Sequence, residues 1–395
     1  MANPPTVVIT SIARTPMGGM QGIFSSVTAP ELGAAAIRAA VERSRIAPND
    51  VDEVIMGCVL PAGQGQAPAR QAARGAGLPD ATGATTINKM CGSGMKAIML
   101  GNDLLKAGSA RVIVAGGMES MTNAPFLLTK ARGGYRYGNA TMYDHMALDG
   151  LEDAYERGTA MGVFAERTAA KYGFTRAEQD QFAIASLTRA KKANEDGTFS
   201  FEVTPIEVKG KSGVESISRD EQPYKANIEK IATLKAAFEK GGTITAATAS
   251  SISDGAAAVV LMTASEAERR GIAPLARILA HATHSRLPGE FTIAPVYAIR
   301  SLLGKTAWAA KDVDLWEINE AFACVTMAAM KEHGLPHDKV NVHGGACALG
   351  HPIGASGARI TATLLAAMKQ RGVKRGVATL CIGGGEAVAI AVEAI

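Results

Sequence analysis

The chain has 395 residues, 47% hydrophobic and 20% charged, which is long enough for two or three packed units of a globular protein. Its 41 basic and 37 acidic residues leave a formal charge of only +4, so a nucleic-acid role has no electrostatic footprint. No uninterrupted apolar segment could span a bilayer and the start lacks a basic region ahead of a long apolar core; the expectation is a cytoplasmic protein with no membrane partner. Five cysteines, Cys58, Cys91, Cys324, Cys347 and Cys381, form an odd set without close CxxC spacing, which argues for free thiols in a reducing compartment.

Val7 to Thr10 is a short β-branched run that predicts a first strand, and Ala29 to Arg45 has helical spacing. A second strand is expected near Asp50 to Gly57, entered from an acidic turn. Thr85-Thr86-Ile87 then meets Cys91, Gly92 and Gly94 before the helix-rich run Met95 to Ala107, a strand, turn and helix start. Gly92 and Gly94 are expected to allow unusual backbone angles and close approaches, placing Cys91 at the helix mouth. Free amides and the helix dipole there favour a thiolate, the form a nucleophile needs. These residues alone leave open the other reading, a small buried hydrophobe. Arg111 to Glu119 predicts another buried strand, and such alternation implies a covered, parallel or mixed sheet.

From about Met121 to Thr248 the charges are denser, and the pattern reads as mostly helical with breaks, an insertion over the first unit. Thr159 to Tyr172 and Thr175 to Glu195 are its clearest helices, the second opening with Thr175 and Glu178 as a capping box. Alternation resumes at Gly255 to Met262. Three later stretches echo the first third in the same order: Asp312-Val313-Asp314 matches Asp50-Val51-Asp52, Gly354-Ala355-Ser356-Gly357 matches Gly92-Ser93-Gly94, and Val377 to Glu386 matches Val112 to Glu119. Matching offsets point to duplication of one half-domain.

Duplicated halves bring their matching turns together. His351, between Gly350 and Pro352 and just ahead of a glycine-opened helix, can be held beside a pocket, where an imidazole takes and returns a thiol proton. Cys381 is a second candidate proton-transfer group, since thiols titrate within reach of neutrality. His343, Cys347 and His351 are spaced four apart, but Gly344, Gly345 and Gly350 oppose the helix that would make them metal ligands, so no metal is expected. No serine elbow surrounds Ser93, and no glycine pattern of a dinucleotide site follows a strand.

The blocks Asn88-Lys89-Met90-Cys91-Gly92-Ser93-Gly94, Gly116-Gly117-Met118-Glu119-Ser120-Met121, Asn319-Glu320-Ala321-Phe322-Ala323, Gly350-His351-Pro352-Ile353-Gly354-Ala355-Ser356-Gly357 and Cys381-Ile382-Gly383-Gly384-Gly385 resemble those of the thiolase family over essentially the whole chain. The resemblance implies an α/β fold with a five-layered αβαβα core of two duplicated halves and an inserted loop domain. We place the N-terminal half at 1–120 plus 251–273, the loop domain at 121–250 and the C-terminal half at 274–395. It further implies a homodimer or homotetramer, and ping-pong cleavage of a 3-ketoacyl-CoA to acetyl-CoA and a shortened acyl-CoA, or the reverse condensation of two acetyl-CoA. Coenzyme A is then a co-substrate, with no tightly bound cofactor.

By the same resemblance Cys91 carries the acyl group, His351 activates it, and Cys381 moves the proton at the acetyl Cα. One oxyanion hole uses His351 with a water held by Asn319, the other the amides of Cys91 and Gly383. Ala249, Ser250, Phe238, Phe322, Met161 and Leu151 resemble the residues that line the pantetheine and acyl path. The chain departs from the family pattern in several places. Ala160 precedes Met161-Gly162 where short-chain biosynthetic members usually carry histidine. Thr248-Ala249-Ser250-Ser251 replaces Asn-Ala-Ser-Gly, and Gln222-Pro223 replaces Arg-Pro. His343 and Glu386 stand where Asn and usually Met or Gln are common. A decarboxylating condensing enzyme of the same fold is the second reading, disfavoured by Cys381; a non-catalytic acyl-CoA-binding protein is the third, disfavoured by the retained reactive groups.

Overall fold

The computed structural model describes residues 4–210 and 213–395. The first half opens with β1 (Val7–Arg14) and the short β2 (Gly18–Gly19), then α1 (Ala29–Ser44), β3 (Glu53–Gly57), α2 (Pro68–Gly75), β4 (Gly83–Ile87), α3 (Ser93–Lys106) and β5 (Val112–Ser120). Thr28 caps α1, and Glu31 returns a bond to its backbone, satisfying amides that the first turn leaves free. The segment that follows holds two hairpins, β6 (Phe126–Leu128) with β7 (Met142–Asp144) and β8 (Ile206–Gly210) with β9 (Gly213–Ile217). It also holds α4 (Met161–Tyr172), α5 (Arg176–Glu195) and the single turn α6 (Gln222–Lys225). The capping box expected at Thr175 and Glu178 forms. The hairpins escaped the mostly helical reading because three- to five-residue strands with exposed side chains show no usable alternation.

The chain then supplies β10 (Ser253–Thr263) and α7 (Ala264–Arg270), and the second half follows as β11 (Ala276–Ser285), α8 (Ala294–Thr306), β12 (Leu315–Ile318), α9 (Ala323–His333), α10 (Ala346–Leu349), α11 (Ser356–Arg371), β13 (Arg375–Ile382) and β14 (Glu386–Ala394). Strand order is β12-β13-β14-β11-β1-β10-β5-β3-β4, and outward from the β1–β11 junction the two sides match strand for strand except for β4, which has no counterpart. In each half an antiparallel trio (β1, β10, β5 and β11, β14, β13) is extended by a parallel neighbour, β3 or β12. The junction is only Val8 opposite Arg277 and Ile9 opposite Ala276, so two half-sheets diverge from it.

The acidic turns that echoed in sequence do the same job in both halves. Asp52 Oδ2 accepts from the amides of Arg111 (2.7 Å) and Val112 (3.0 Å), and Asp314 Oδ2 accepts from those of Lys374 (3.0 Å) and Arg375 (2.8 Å). Each carboxylate thereby starts the strand that runs to the site.

Five layers follow from which strand face is apolar. Val8, Val54, Val112 and Val114 face α1 and α2 on one outside; Trp316, Val377 and Ala389 face α8 and α9 on the other. Ile9, Ile113, Val259, Leu380 and Ile390 point inward onto α3 and α11, which form the middle layer. These two helices touch through glycine. A Cβ on Gly357 would stand 2.3 Å from Met95 N, and one on Gly94 would stand 2.8 Å from Ala358 N. Gly357→Ala is therefore expected to cost about 3 kcal/mol, because backbone cannot swing aside as a side chain can. Gly304→Ala, on α8 with open space around it, should gain about 0.5–1 kcal/mol. Urea midpoints measure both, and equal midpoints would mean that the middle helices can separate.

Candidate active site

Cys91 stands between the end of β4 and the start of α3, so the strand-turn-helix reading holds. Of the two properties expected of its glycines, close approach holds and unusual backbone angles do not: Gly92 has an ordinary φ of −81°, and Gly94 is not left-handed. A Cβ on Gly92 would lie 2.4 Å from Ile382 Cδ1 of the other half. The left-handed residue is Met90, at φ 46°, a costly position for a side chain that the surroundings must hold. Asn88 Oδ1 accepts from Met90 N at 2.9 Å, while Ser93 Oγ accepts from Lys89 N at 2.8 Å and donates to Met90 O at 2.6 Å.

The backbone amides of Gly383 and of Cys91 itself pull the Cys91 pKa down, yet desolvation outweighs them and pushes it up to about 11. The expected thiolate is thus not the resting state: amides alone do not offset desolvation, and a base has to take the proton. Cys381, near the end of β13, is also held well above the usual thiol range, first by burial and then by its neighbours Cys91 and Cys324. The two candidate thiols, 290 positions apart along the chain in different halves, therefore lie in electrostatic contact.

His351 sits on a turn that only glycine can begin, since Gly350 has φ 104° and a Cβ there would meet Ser253 Oγ at 2.1 Å. Its own amide donates to Ser251 O (3.1 Å) and Ser253 Oγ (3.2 Å). Nδ1 lies 2.6 Å from Ser356 Oγ, and that hydroxyl donates its one proton to Pro352 O at 3.0 Å. Ser356 must therefore accept from Nδ1–H, which assigns the tautomer and leaves the Nε2 lone pair free to take a proton. Burial, and then the Arg359 charge, lower the imidazole pKa to about 3, so the ring is neutral.

Asn319 Nδ2 approaches the ring nitrogens at 3.4 and 3.5 Å, and its Oδ1 accepts from Arg359 Nη2 at 3.5 Å. Arg359 thus turns the amide so that its donors face the imidazole. It is buried beside Glu317, whose carboxylate oxygen lies 3.5 Å away.

Glu119, quoted in a motif but given no role from sequence, links the two halves. Fully buried, its carboxylate accepts from the amides of Val59 (2.9 Å), Leu60 (3.1 Å) and Gly354 (2.9 Å), and Cys58 Sγ lies 3.7 Å away. Gly354 is on the turn that carries His351. Nothing in the spacing of Glu119 signalled this, because its partners lie 59 to 235 positions away.

The expected wall residues divide into two groups. Met161, Phe238, Ala249 and Phe322 pack in one apolar cluster with Cys381, with the Phe238 and Phe322 rings edge to face at 5.7 Å. Leu151 belongs instead to a second cluster that packs against Cys91. Ala249 pairs with Phe322, and Ser250 donates from both its amide (2.9 Å) and its hydroxyl (3.0 Å) to Ala321 O, so any ligand bond to that hydroxyl uses its lone pairs. Gln222 opens α6 and packs on Gly19, where a Cβ would come within 2.2 Å of its Nε2. His343, Cys347 and His351 do not converge. Gly344 and Gly350 are left-handed, α10 is one turn, His343 packs edge-on against Phe199, and Cys347 points at Thr248 O and Glu320 O. No cluster of three metal-ligating side chains occurs among the described residues.

Two equivalent α/β halves closing on paired thiols and a neutral imidazole define an acyl-transferring enzyme. Family profiles described as the thiolase N-terminal domain and the thiolase C-terminal domain match residues 7–265 and 272–394. The chain belongs to the thiolase family and is an acyltransferase of that family, one that makes or cleaves 3-ketoacyl-CoA. It is 50% identical over 394 residues, covering 100% of both chains, to an acetyl-CoA acetyltransferase of Rhizobium meliloti (strain 1021). Among solved structures it is similar to the Bacillus anthracis acetyl-CoA acetyltransferase, with TM-score 0.96 and 41% identity over 99% of each chain. It is also similar to the Acat5 thiolase of Ascaris suum in complex with coenzyme A, with TM-score 0.93 and 40% identity, covering 99% of this chain and 100% of that one.

Proposed function

We propose that this chain interconverts acetoacetyl-CoA plus CoA and two acetyl-CoA by ping-pong transfer through Cys91. In cleavage, His351 Nε2 takes the Cys91 proton and the sulfur attacks the 3-keto carbon. The C2–C3 bond then breaks, its electron pair passes to C2 of the leaving acetyl-CoA, and Cys381 protonates that carbon. A second CoA thiol, deprotonated in turn, takes the acyl group off Cys91.

The amides of Cys91 and Gly383 face the oxygen charged during attack on the thioester, and His351 with a water held by Asn319 serves the enolate oxygen. One such donor is worth about 10²- to 10³-fold in rate. The observation that carries this reading is a protonated, partly buried thiol whose pKa the Gly383 amide of the opposite half pulls down, together with a neutral imidazole whose Nδ1–H is held by Ser356 and whose Nε2 carries no proton. Ala249, Ser250, Phe238, Phe322, Met161 and Leu151 would line the acyl and pantetheine path, on the insertion at 121–250 and on the turns it covers. The relatives' names support acetyl units, although Ala160 lacks the imidazole that short-chain biosynthetic members carry.

The test is a chain-length series: acetoacetyl-CoA and longer 3-ketoacyl-CoAs with CoA, following loss of the 3-keto species under reducing conditions. Acetoacetyl-CoA is expected to turn over fastest. Faster cleavage of long chains would move the assignment to a degradative thiolase, and no cleavage at any length would remove the mechanism.

Self-association and location follow as parts of the same proposal. The tip residues Phe126, Tyr137 and Met142 are 65%, 102% and 65% exposed, and β4 ends the sheet, which suits a homodimer or homotetramer. Five free cysteines suit the reducing cytoplasm, and no helix among the described residues is long and apolar enough to cross a membrane.

A further inference from the structure

Both turns at the Cys91 site contain left-handed backbone, and they come from different halves. On one, Met90 is left-handed at φ 46°; on the other, Gly384 and Gly385 are left-handed at φ 92° and 91°. The Gly383 turn is anchored on its far side, where Arg286 N donates to Gly385 O at 2.8 Å and Ser285 Oγ donates to Glu386 Oε1 at 2.9 Å. Across the site, Glu386 Oε2 meets Lys89 Nζ at 2.5 Å, with the two side chains 30% and 22% exposed. Among the described residues this is the one ion pair between the turns. Lys89 lies two positions before Cys91, and Glu386 lies three after Gly383.

We propose that Lys89 and Glu386 are positioning residues whose ion pair clasps the two turns together and sets the Gly383 amide against the Cys91 sulfur. The inference rests on the thiolase mechanism above and adds to it a cross-half device. A Lys89 ammonium is a compact charge on a flexible stem, and alone it fixes little. Here its stem is mostly buried and its partner is held from behind by Ser285, so moving either end disturbs an amide that must meet the sulfur with sub-ångström accuracy. The charged groups nearby are few: Lys96 also acts on Glu386, and Glu119 acts on Cys91.

The test uses the full-length enzyme with Lys89→Met, Glu386→Gln and the charge-swapped double variant Lys89→Glu with Glu386→Lys. Each single variant is expected to lower kcat for acetoacetyl-CoA cleavage about tenfold with KM little changed, and the swap to recover most of the loss. An independent readout is the pH dependence of Cys91 alkylation by iodoacetamide, followed by mass. If the pair acts by positioning, both single variants weaken the Gly383 bond and move the alkylation curve to higher pH, and the swap moves it back. If the lysine acts only as a nearby charge, Lys89→Met moves the curve up and Glu386→Gln moves it down, which overturns the proposal. A lowered Tm with an unmoved curve overturns it too. Wild-type enzyme that alkylates normally but cleaves no 3-ketoacyl-CoA would sink the thiolase mechanism while leaving the clasp to the alkylation result.

Discussion

Cys91→Ser is expected to abolish acyl-enzyme formation and to lower turnover by at least about 10⁴-fold, whereas Cys381→Ser retains acylation while losing turnover. The asymmetry follows from position. The Cys91 pKa is pulled down by amides from both halves, those of Cys91 itself and of Gly383, whereas only its own amide does so for Cys381. Cys381 is 1% exposed and packed with Phe322, Ala249 and Met161, an apolar setting suited to keeping a proton until a carbanion asks for it. A serine at position 91 retains a lone pair, but its far higher pKa and weaker nucleophilicity make attack through His351 much slower. Intact mass after incubation with acetyl-CoA measures the first half-reaction, and cleavage of acetoacetyl-CoA measures the whole. Equal acylation of the two variants would overturn the division of labour.

Glu119→Ala is expected to cost about 3 kcal/mol of stability and about 10²-fold in kcat. Three backbone donors, at Val59, Leu60 and Gly354, lose their acceptor in a place where each unpaired group costs roughly 1–3 kcal/mol, partly recovered by water entering the space. The kinetic loss arises because Gly354 belongs to the His351 turn, so the imidazole shifts relative to Cys91. Glu119→Gln keeps the shape but turns an NH2 group toward the same donors, and should fall between the two.

The pH dependence of stability separates these effects further. Burial raises Glu119 from 4.5 to about 7 against the pull of its three amides. The folded state therefore holds a proton that the unfolded chain has released, and this group's contribution to stability falls as pH rises through that window. Glu119→Gln should flatten the slope between pH 4.5 and 7. Urea unfolding across that range measures it, and a wild-type slope in the variant would remove Glu119 as its source.

Much of the architecture was legible because it is written in local pattern. The β-branched runs at Val7, Val112 and Val377 formed strands, the Thr175 and Glu178 pair capped α5, and the repeated Asp turns announced two halves that the strand order then displayed. The candidate site residues Cys91, His351 and Cys381 could be singled out from sequence because each sits beside glycines in a turn. The β6–β7 and β8–β9 hairpins were not, being too short and too exposed to carry a period.

By itself, then, the sequence determined the half-domain plan and the chemical inventory of the site, because strand alternation, helix caps and turn glycines act over a few residues. The tertiary structure alone decided how that inventory behaves. It put the left-handed strain on Met90 rather than on a glycine, left Cys91 protonated and His351 neutral, and recruited Ser356, Arg359, Glu119 and Glu386 as supports. Desolvation depends on everything that surrounds an atom, and the Glu119–Gly354 and Lys89–Glu386 contacts join residues 235 and 297 positions apart, so no local window of sequence contains them.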